Sequence, residues 1–386
     1  MKKVIFFSII LTFVISNNLF SFPAFARKYS LTCKTCHSPF PKLKPYGDEF
    51  AGNGFTIPDK DAPRYYTDTG DDELSLLREV PIGIRFEGYL NYNNSKSNYL
   101  DFSAPYIIKL ISGGELTKNI SYYFYFFFNE RGDVAGVEDA FVMFNDLFGV
   151  NLDLYVGQFQ VSDPLFKREL RLPFEDYQVY KIKPGFSQID LTYDRGIMLT
   201  YGLPTGTDFT LEIINGNGIS AANSSKLFDI DKNKNFMGRV SQDIGEHFRL
   251  GGLIYTGKEN LYNEDNKVQM YGGDFTFGLE NLELNFQYVH RKDNNPIFTT
   301  FNAEEIKSDG IMGELLFLPK GDDSKWYGLA LYNYVKSDQK DLEYNSYTLS
   351  FGYLIRRNIR IVGEYTYYNN NDKKYGRIGI GFVSAF

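Results

Sequence analysis

From Val80 to its last residue the chain runs in segments of about ten residues in which apolar and polar side chains alternate, set apart by clusters of Gly, Asn and Asp. A period of two predicts β-strands with one apolar and one polar face. In the first segment Ile82, Ile84, Phe86 and Leu90 share one face, and Arg85, Glu87 and Asn91 the other. Leu282, Leu284, Phe286 and Tyr288 likewise oppose Glu283, Asn285 and Gln287, while Ile359, Ile361, Tyr365 and Tyr367 oppose Arg360, Glu364 and Thr366. Sixteen such segments can be counted, centred near residues 87, 109, 124, 140, 156, 198, 211, 239, 251, 272, 286, 313, 329, 349, 363 and 380. An even number of antiparallel strands closes with both ends at one rim, where short turns such as Asp243-Ile-Gly-Glu are expected. Charge on one face and apolar bulk on the other suit a wet lumen in a lipid solvent better than the core of a soluble sandwich. The expected fold is all-β: residues 80–386 as an antiparallel transmembrane β-barrel of about 16 strands. The longest interval, Val161 to Tyr193, holds Lys167-Arg-Glu-Leu-Arg and Phe174-Glu-Asp-Tyr. It reads either as a constriction folded inward or as an ordinary surface loop.

The first 79 residues break the alternation. Lys2 and Lys3, the apolar run from Val4 to Ile15 and the small-residue site Ala24-Phe25-Ala26 predict a secretory signal over 1–26, with Arg27 as the mature N-terminus. No later run reaches the roughly 18 apolar positions of a membrane helix. Tyr (30) and Phe (35) supply nearly all of a 17% aromatic content, which excludes a disordered protein. Without the signal there remain 39 basic and 48 acidic side chains, a net charge of −9 that disfavours nucleic acid as a partner. Residues 57–79 form an acidic linker containing Asp59, Asp61, Asp68, Asp71 and Asp72. These acids could gather Fe(II) through hard oxygen ligands, or simply solvate a connector.

Both cysteines of the protein lie in one pentapeptide, Cys33-Lys34-Thr35-Cys36-His37. In an exported protein the pattern C-x-x-C-H reads as covalent haem attachment, with the two thiols on the macrocycle edge and the His beneath the iron as proximal ligand. A thioredoxin-like pair would need a βαβ setting, which Pro39, Pro41, Pro45 and Gly47 do not supply. Zinc would need about four ligands, and no other Cys or His lies between Arg27 and Glu246. A plain disulfide or a chance match is the remaining alternative. Phe40, Leu43, Phe50 and Phe55 are spaced to pack on an apolar haem face, and so short a segment has little core otherwise. Residues 27–56 are therefore read as a monohaem cytochrome c segment holding one covalent haem c.

The flanks, Phe22-Pro23-Ala24-Phe25-Ala26-Arg27 and Phe40-Pro41-x-Leu43-x-x-x-Gly47-x-x-Phe50-x-x-Asn53-Gly54-Phe55, extend this signal. Together with the motif they resemble the fused outer-membrane monohaem cytochrome–porins of the iron-oxidising type. Arg377-Ile-Gly-Ile-Gly-Phe-Val-Ser-Ala-Phe386 resembles the C-terminal strand signal of outer-membrane proteins. Leu152-Asp-Leu-Tyr-Val-Gly-Gln-Phe, Asp194-Arg-Gly-Ile-Met and Ile214-Asn-Gly-Asn-Gly218 are similar to the phosphate-selective porin O/P group, although no basic lumenal ladder can be traced.

The resemblance implies an electron-transfer protein of the bacterial outer membrane, surrounded by its lipid. Electrons would pass from an extracellular donor, Fe(II) first among candidates, through the haem to a periplasmic cytochrome, an activity that amounts to Fe(II) oxidation. The alternatives are a passive diffusion porin with a small N-terminal plug, and a conduit running outward to an extracellular acceptor. No paired carboxylates, Ser/His/Asp set or phosphate loop supports a hydrolase or transferase. Between Ser38 and Glu79 there is neither His nor Met to complete the iron. Lys42, Lys44, water, or one of Met143, Met198, Met237, Met270, Met312, His247 and His290 must serve. The haem segment is expected to dock in or against the periplasmic mouth of the lumen, with the iron open or bound by a barrel residue.

Overall fold

The computed structural model describes residues 24–39, 42–57, 67–95, 99–134, 136–166, 171–300, 303–370 and 373–386. Sixteen strands dominate it: β1 (Ile82–Asn93), β2 (Tyr99–Thr117), β3 (Ile120–Glu130), β4 (Val137–Phe144), β5 (Leu152–Gln160), β6 (Tyr193–Gly202), β7 (Thr207–Ile214) and β8 (Asn235–Ile244) form the first half. The second comprises β9 (Phe248–Leu261), β10 (Glu264–Gly278), β11 (Leu282–Asp293), β12 (Ile306–Phe317), β13 (Trp326–Ser337), β14 (Tyr344–Arg356), β15 (Ile359–Asn370) and β16 (Lys373–Ala385). Every expected strand centre falls inside one of them. Each strand pairs antiparallel with its sequence neighbours, and β16 returns to β1 with Arg85 opposite Ala385 and Asn93 opposite Arg377. Beyond that ladder the Phe386 amide donates to the Ile84 carbonyl at 2.8 Å, and the Ile84 amide to the Phe386 carbonyl at 2.6 Å. The final aromatic residue thus helps close the seam.

Strand β14 shows why the pattern produces this fold. Ser346, Thr348 and Ser350 are buried toward the lumen, whereas Tyr347, Leu349, Phe351, Tyr353 and Ile355 point outward. Leu349 is 63% exposed. In water each such side chain would forgo roughly 1.5–3 kcal/mol of burial, so a continuous belt of them is tenable only against lipid. Among the described residues no helix is long and apolar enough to cross a membrane, and the strands make the crossing.

The rim that carries Ile82 and Ala385 has short connections such as 118–119, 245–247 and 357–358, in keeping with the expected turn after Asp243. The three longest connections, 161–192, 215–234 and 294–305, leave the opposite rim. The described residues of the first, 161–166 and 171–192, fold inward, and Lys167 to Leu170 lie outside the described residues. Val161, Leu172, Tyr180, Ile189 and Leu191 pack against Met270, Met312, Leu316, Leu329 and Leu331 of the wall, forming an apolar core inside the barrel. The amides of Phe174 and Glu175 donate to the Glu364 carboxylate at 3.0 and 2.9 Å, and Arg171 pairs with Glu314 at 2.6 Å. The Phe174 ring lies over Gly379, where a Cβ would come within 1.9 Å of it, so glycine is required there for the loop to seat. The loop is thus a constriction.

The inner wall also carries a charged cluster in which Arg85 pairs with the buried Glu87 at 2.5 Å. Arg85 lies opposite Lys109, and Arg360 sits near them, donating to the Tyr327 hydroxyl at 2.8 Å.

Candidate functional site

Among the described residues three short helices belong to the N-terminal segment: α1 (Ala24–Tyr29), α2 (Cys33–Cys36) and α3 (Pro45–Gly52). Thiols three residues apart on α2 lie on one face of its single turn. His37 follows in extended conformation, its amide donating to the Cys33 carbonyl at 2.8 Å. It forms a bridge with Leu43, and the Lys44 amide donates to the Cys36 carbonyl at 2.8 Å, so the backbone doubles back beneath the motif. Pro45 then starts α3 at a position where its missing N–H is harmless. Gly47 lets α3 lie on α2, because a Cβ there would stand 2.4 Å from the Cys36 carbonyl oxygen.

An aromatic cluster ties the segment together. Phe50 meets Tyr29 and Phe55 edge-to-face, with centroids 5.6 and 5.9 Å apart. Phe55 stacks on one side against Phe25 at 5.0 Å and on the other against Tyr123 of β3 at 4.7 Å. Cleavage after Ala26 would remove Phe25 and expose that side of the Phe55 ring. The Tyr29 hydroxyl donates to the Phe55 carbonyl at 3.0 Å.

Charge fixes the segment to the short-turn rim. Asp322 and Asp323, in the β12–β13 turn, receive Ser38 and Lys34 respectively, and Lys44 pairs with Asp322 at 2.6 Å. Burial opposes the Asp322 carboxylate, but Lys44 and Ser38 outweigh it and hold its pKa below the ordinary value of 3.8. Lys42 pairs with Glu283 at 2.9 Å, and Arg171 of the constriction reaches the same carboxylate at 3.0 Å. The Asn145 side chain donates to the Gly52 carbonyl at 3.1 Å. Lys42 and Lys44, considered above as iron ligands, are instead engaged by Glu283 and Asp322.

Cys33, Cys36, His37, Leu43, Phe50 and Phe55 all line one cavity of about 1150 Å³, which runs from the segment into the lumen as far as Arg171, Asp176 and Met198. Phe40 lies outside the described residues. The thiols are not joined to each other. Burial pushes the pKa of both upward, for Cys36 with help from Cys33, which is the opposite of what an activated redox dithiol needs. Of the methionine and histidine candidates for the iron, Met198 alone lines this cavity among the described residues. His247 sits in an exposed turn with Nδ1 2.9 Å from the Gly278 carbonyl, and His290 pairs with Asp309 at 2.8 Å near the far rim. In the linker, Asp68 and Asp71 are exposed and accept from their own turns, through the amides of Gly70 at 2.9 Å and Glu73 at 3.0 Å. Asp59 and Asp61 lie outside the described residues. Sequence reading missed the receiving groups, Asp322, Asp323, Glu283, Asn145 and Tyr123. Only the Asp-Asp pair in a short turn could have hinted at them.

Solved structures share this architecture. The anion-selective porin from Comamonas acidovorans matches with a TM-score of 0.59 and 12% identity, over 80% of this chain and 99% of that one. The fold is that of the porin barrels. The outer membrane channel DcaP of Acinetobacter baumannii matches at 0.58 with 12% identity, over 80% of this protein and 97% of that one. OmpF of Salmonella typhi, solved with daunomycin, matches at 0.56 with 10% identity and the same coverage. No protein-family model and no curated protein matches the sequence.

Proposed function

We propose that the protein is an outer-membrane barrel of the porin kind, with its periplasmic mouth closed by its own N-terminal segment. The shared fold, the outward apolar belt and the placement of the segment at the short-turn rim support this reading. On it alone, the lumen is a diffusion path restricted by the plug at one mouth and the inward loop above it. The named neighbours, porins and channels, favour that passive reading.

A second, finer reading is that the plug is a c-type cytochrome segment. The observation that carries it is the convergence of Cys33, Cys36 and His37 with the apolar walls Leu43, Phe50 and Phe55 on one cavity. The donor set fits haem c: two thiols on one helix face for thioether attachment, His37 next to them for the iron, and aromatic side chains to keep water from the macrocycle. When bound, the haem supplies one-electron chemistry. The protein's own residues hold it, bury it and fix it against the barrel through Lys34, Lys42 and Lys44. An extracellular donor such as Fe(II), and a periplasmic cytochrome as acceptor, follow from the cytochrome–porin resemblance.

Visible absorption of the purified protein separates the two readings. A Soret band that survives denaturation and acid extraction supports the cytochrome, and its absence leaves the passive porin. Stopped-flow mixing with Fe(II) then tests the donor. If Fe(II) fails to reduce the protein while a generic reductant succeeds, the iron assignment falls and the conduit stands.

A further inference from the structure

Around the inner wall, β6 to β10 place Met198, Glu212, Met237, Tyr255 and Met270 side by side, each directly opposite the next in register. Side chains so paired have Cβ atoms about 4.5–5.5 Å apart. Glu212 is wholly buried, and neither of its carboxylate oxygens accepts a hydrogen bond. The charged groups that act on it most are Asp194 and Asp163, both acidic. The Tyr255 hydroxyl, beyond Met237, accepts from the Asn235 side chain at 3.0 Å. A carboxylate buried in this way is costly unless it is neutral or holds a cation. Its neighbours on both sides are thioethers, weak hydrogen-bond acceptors but good ligands for soft metal ions, Cu(I) above all. Met198 also lines the lumenal cavity together with Asp163, which provides a way in.

We propose that Glu212, flanked by Met198 and Met237, is a binding site for a soft monovalent cation, Cu(I) or its redox-inert analogue Ag(I), in the wall of the barrel. The site is independent of any haem on the plug.

The test uses the full-length protein with Cys33→Ser and Cys36→Ser, which removes the competing thiols. It is folded in detergent and checked by heat-dependent gel mobility. Calorimetric titration with Ag(I) is expected to show saturable binding of a single equivalent. Met198→Leu with Met237→Leu, nearly volume-conserving, should abolish it. Met312→Leu, on β12 opposite Gln287 and Asn333, should leave it intact. Absence of saturable binding, or binding unchanged in the Met198/Met237 variant, would overturn the proposal. Should that variant misfold, X-ray absorption at the silver edge of the loaded parent decides instead. Sulfur and oxygen donors support the site, and a shell of oxygen or nitrogen alone refutes it.

Discussion

Phe55 makes an aromatic contact between the segment and the barrel: its ring is stacked on Tyr123, while the backbone just before it turns through Gly54 with φ of +66°. A Cβ at Gly54 would fall 2.0 Å from the Ser121 hydroxyl, so the turn admits only glycine without rearrangement. Aromatic pairs contribute roughly 0.5–1.5 kcal/mol beyond the area they bury. Phe55→Ala is therefore expected to loosen the plug by about that amount per lost pair, read as faster protease cleavage of residues 27–79 with the barrel unchanged. The motif itself offers a sharper test. Cys33→Ala with Cys36→Ala should abolish haem staining on a denaturing gel while the barrel still reaches the membrane. Staining that persisted would remove the covalent attachment from the account. At this scale the sequence was informative because the thiols, the His and the apolar residues lie within 23 positions and their spacing is local.

At the scale of elements, docking depends on one turn and one loop. The β12–β13 turn presents Asp322 and Asp323 to Ser38, Lys44 and Lys34, and the constriction shares Glu283 with Lys42. Asp322→Asn with Asp323→Asn should release the plug, seen as raised single-channel conductance and greater protease sensitivity at unchanged β-sheet circular dichroism. The same contacts set a pH dependence. The docked pKa of Asp322 lies below its free value of 3.8. Its contribution is therefore complete above pH 3.8 and is lost as the pH falls through the lower, docked pKa. Plug protection should stay flat from neutral pH down to that point and decline only in stronger acid. Loss of protection near pH 6 would point to another group. The inward path of residues 171–192 was left open by its sequence, because its apolar residues do not alternate and its partners, Glu314 and Glu364, lie more than 140 positions away.

For the whole molecule, closure is the organising fact. A barrel has no unpaired edge, and here the last ladder is completed by β1 with β16 and by Phe386 with Ile84. Deleting Phe386 should slow assembly, measured as a smaller heat-modifiable fraction on refolding into detergent. Residues 80–386 alone should fold without the plug and conduct more than the full-length protein. A soluble monomer, or a helical circular dichroism spectrum, would contradict the fold.

The strand pattern, the strand count and the C-x-x-C-H motif were determined by the sequence alone. Each barrel residue faces either lipid or lumen according to its own position in a period of two, and Cys33, Cys36 and His37 lie within five consecutive residues. Only the tertiary structure decided which groups hold the segment at the mouth, that the long loop turns inward, and that Glu212 is left between two thioethers. Those outcomes depend on pairings such as Lys34 with Asp323, separated by 289 residues, and on neighbours set by strand register. A charge on a turn carries no local signal of its partner, so the partner is known only when the ladder has brought the two together.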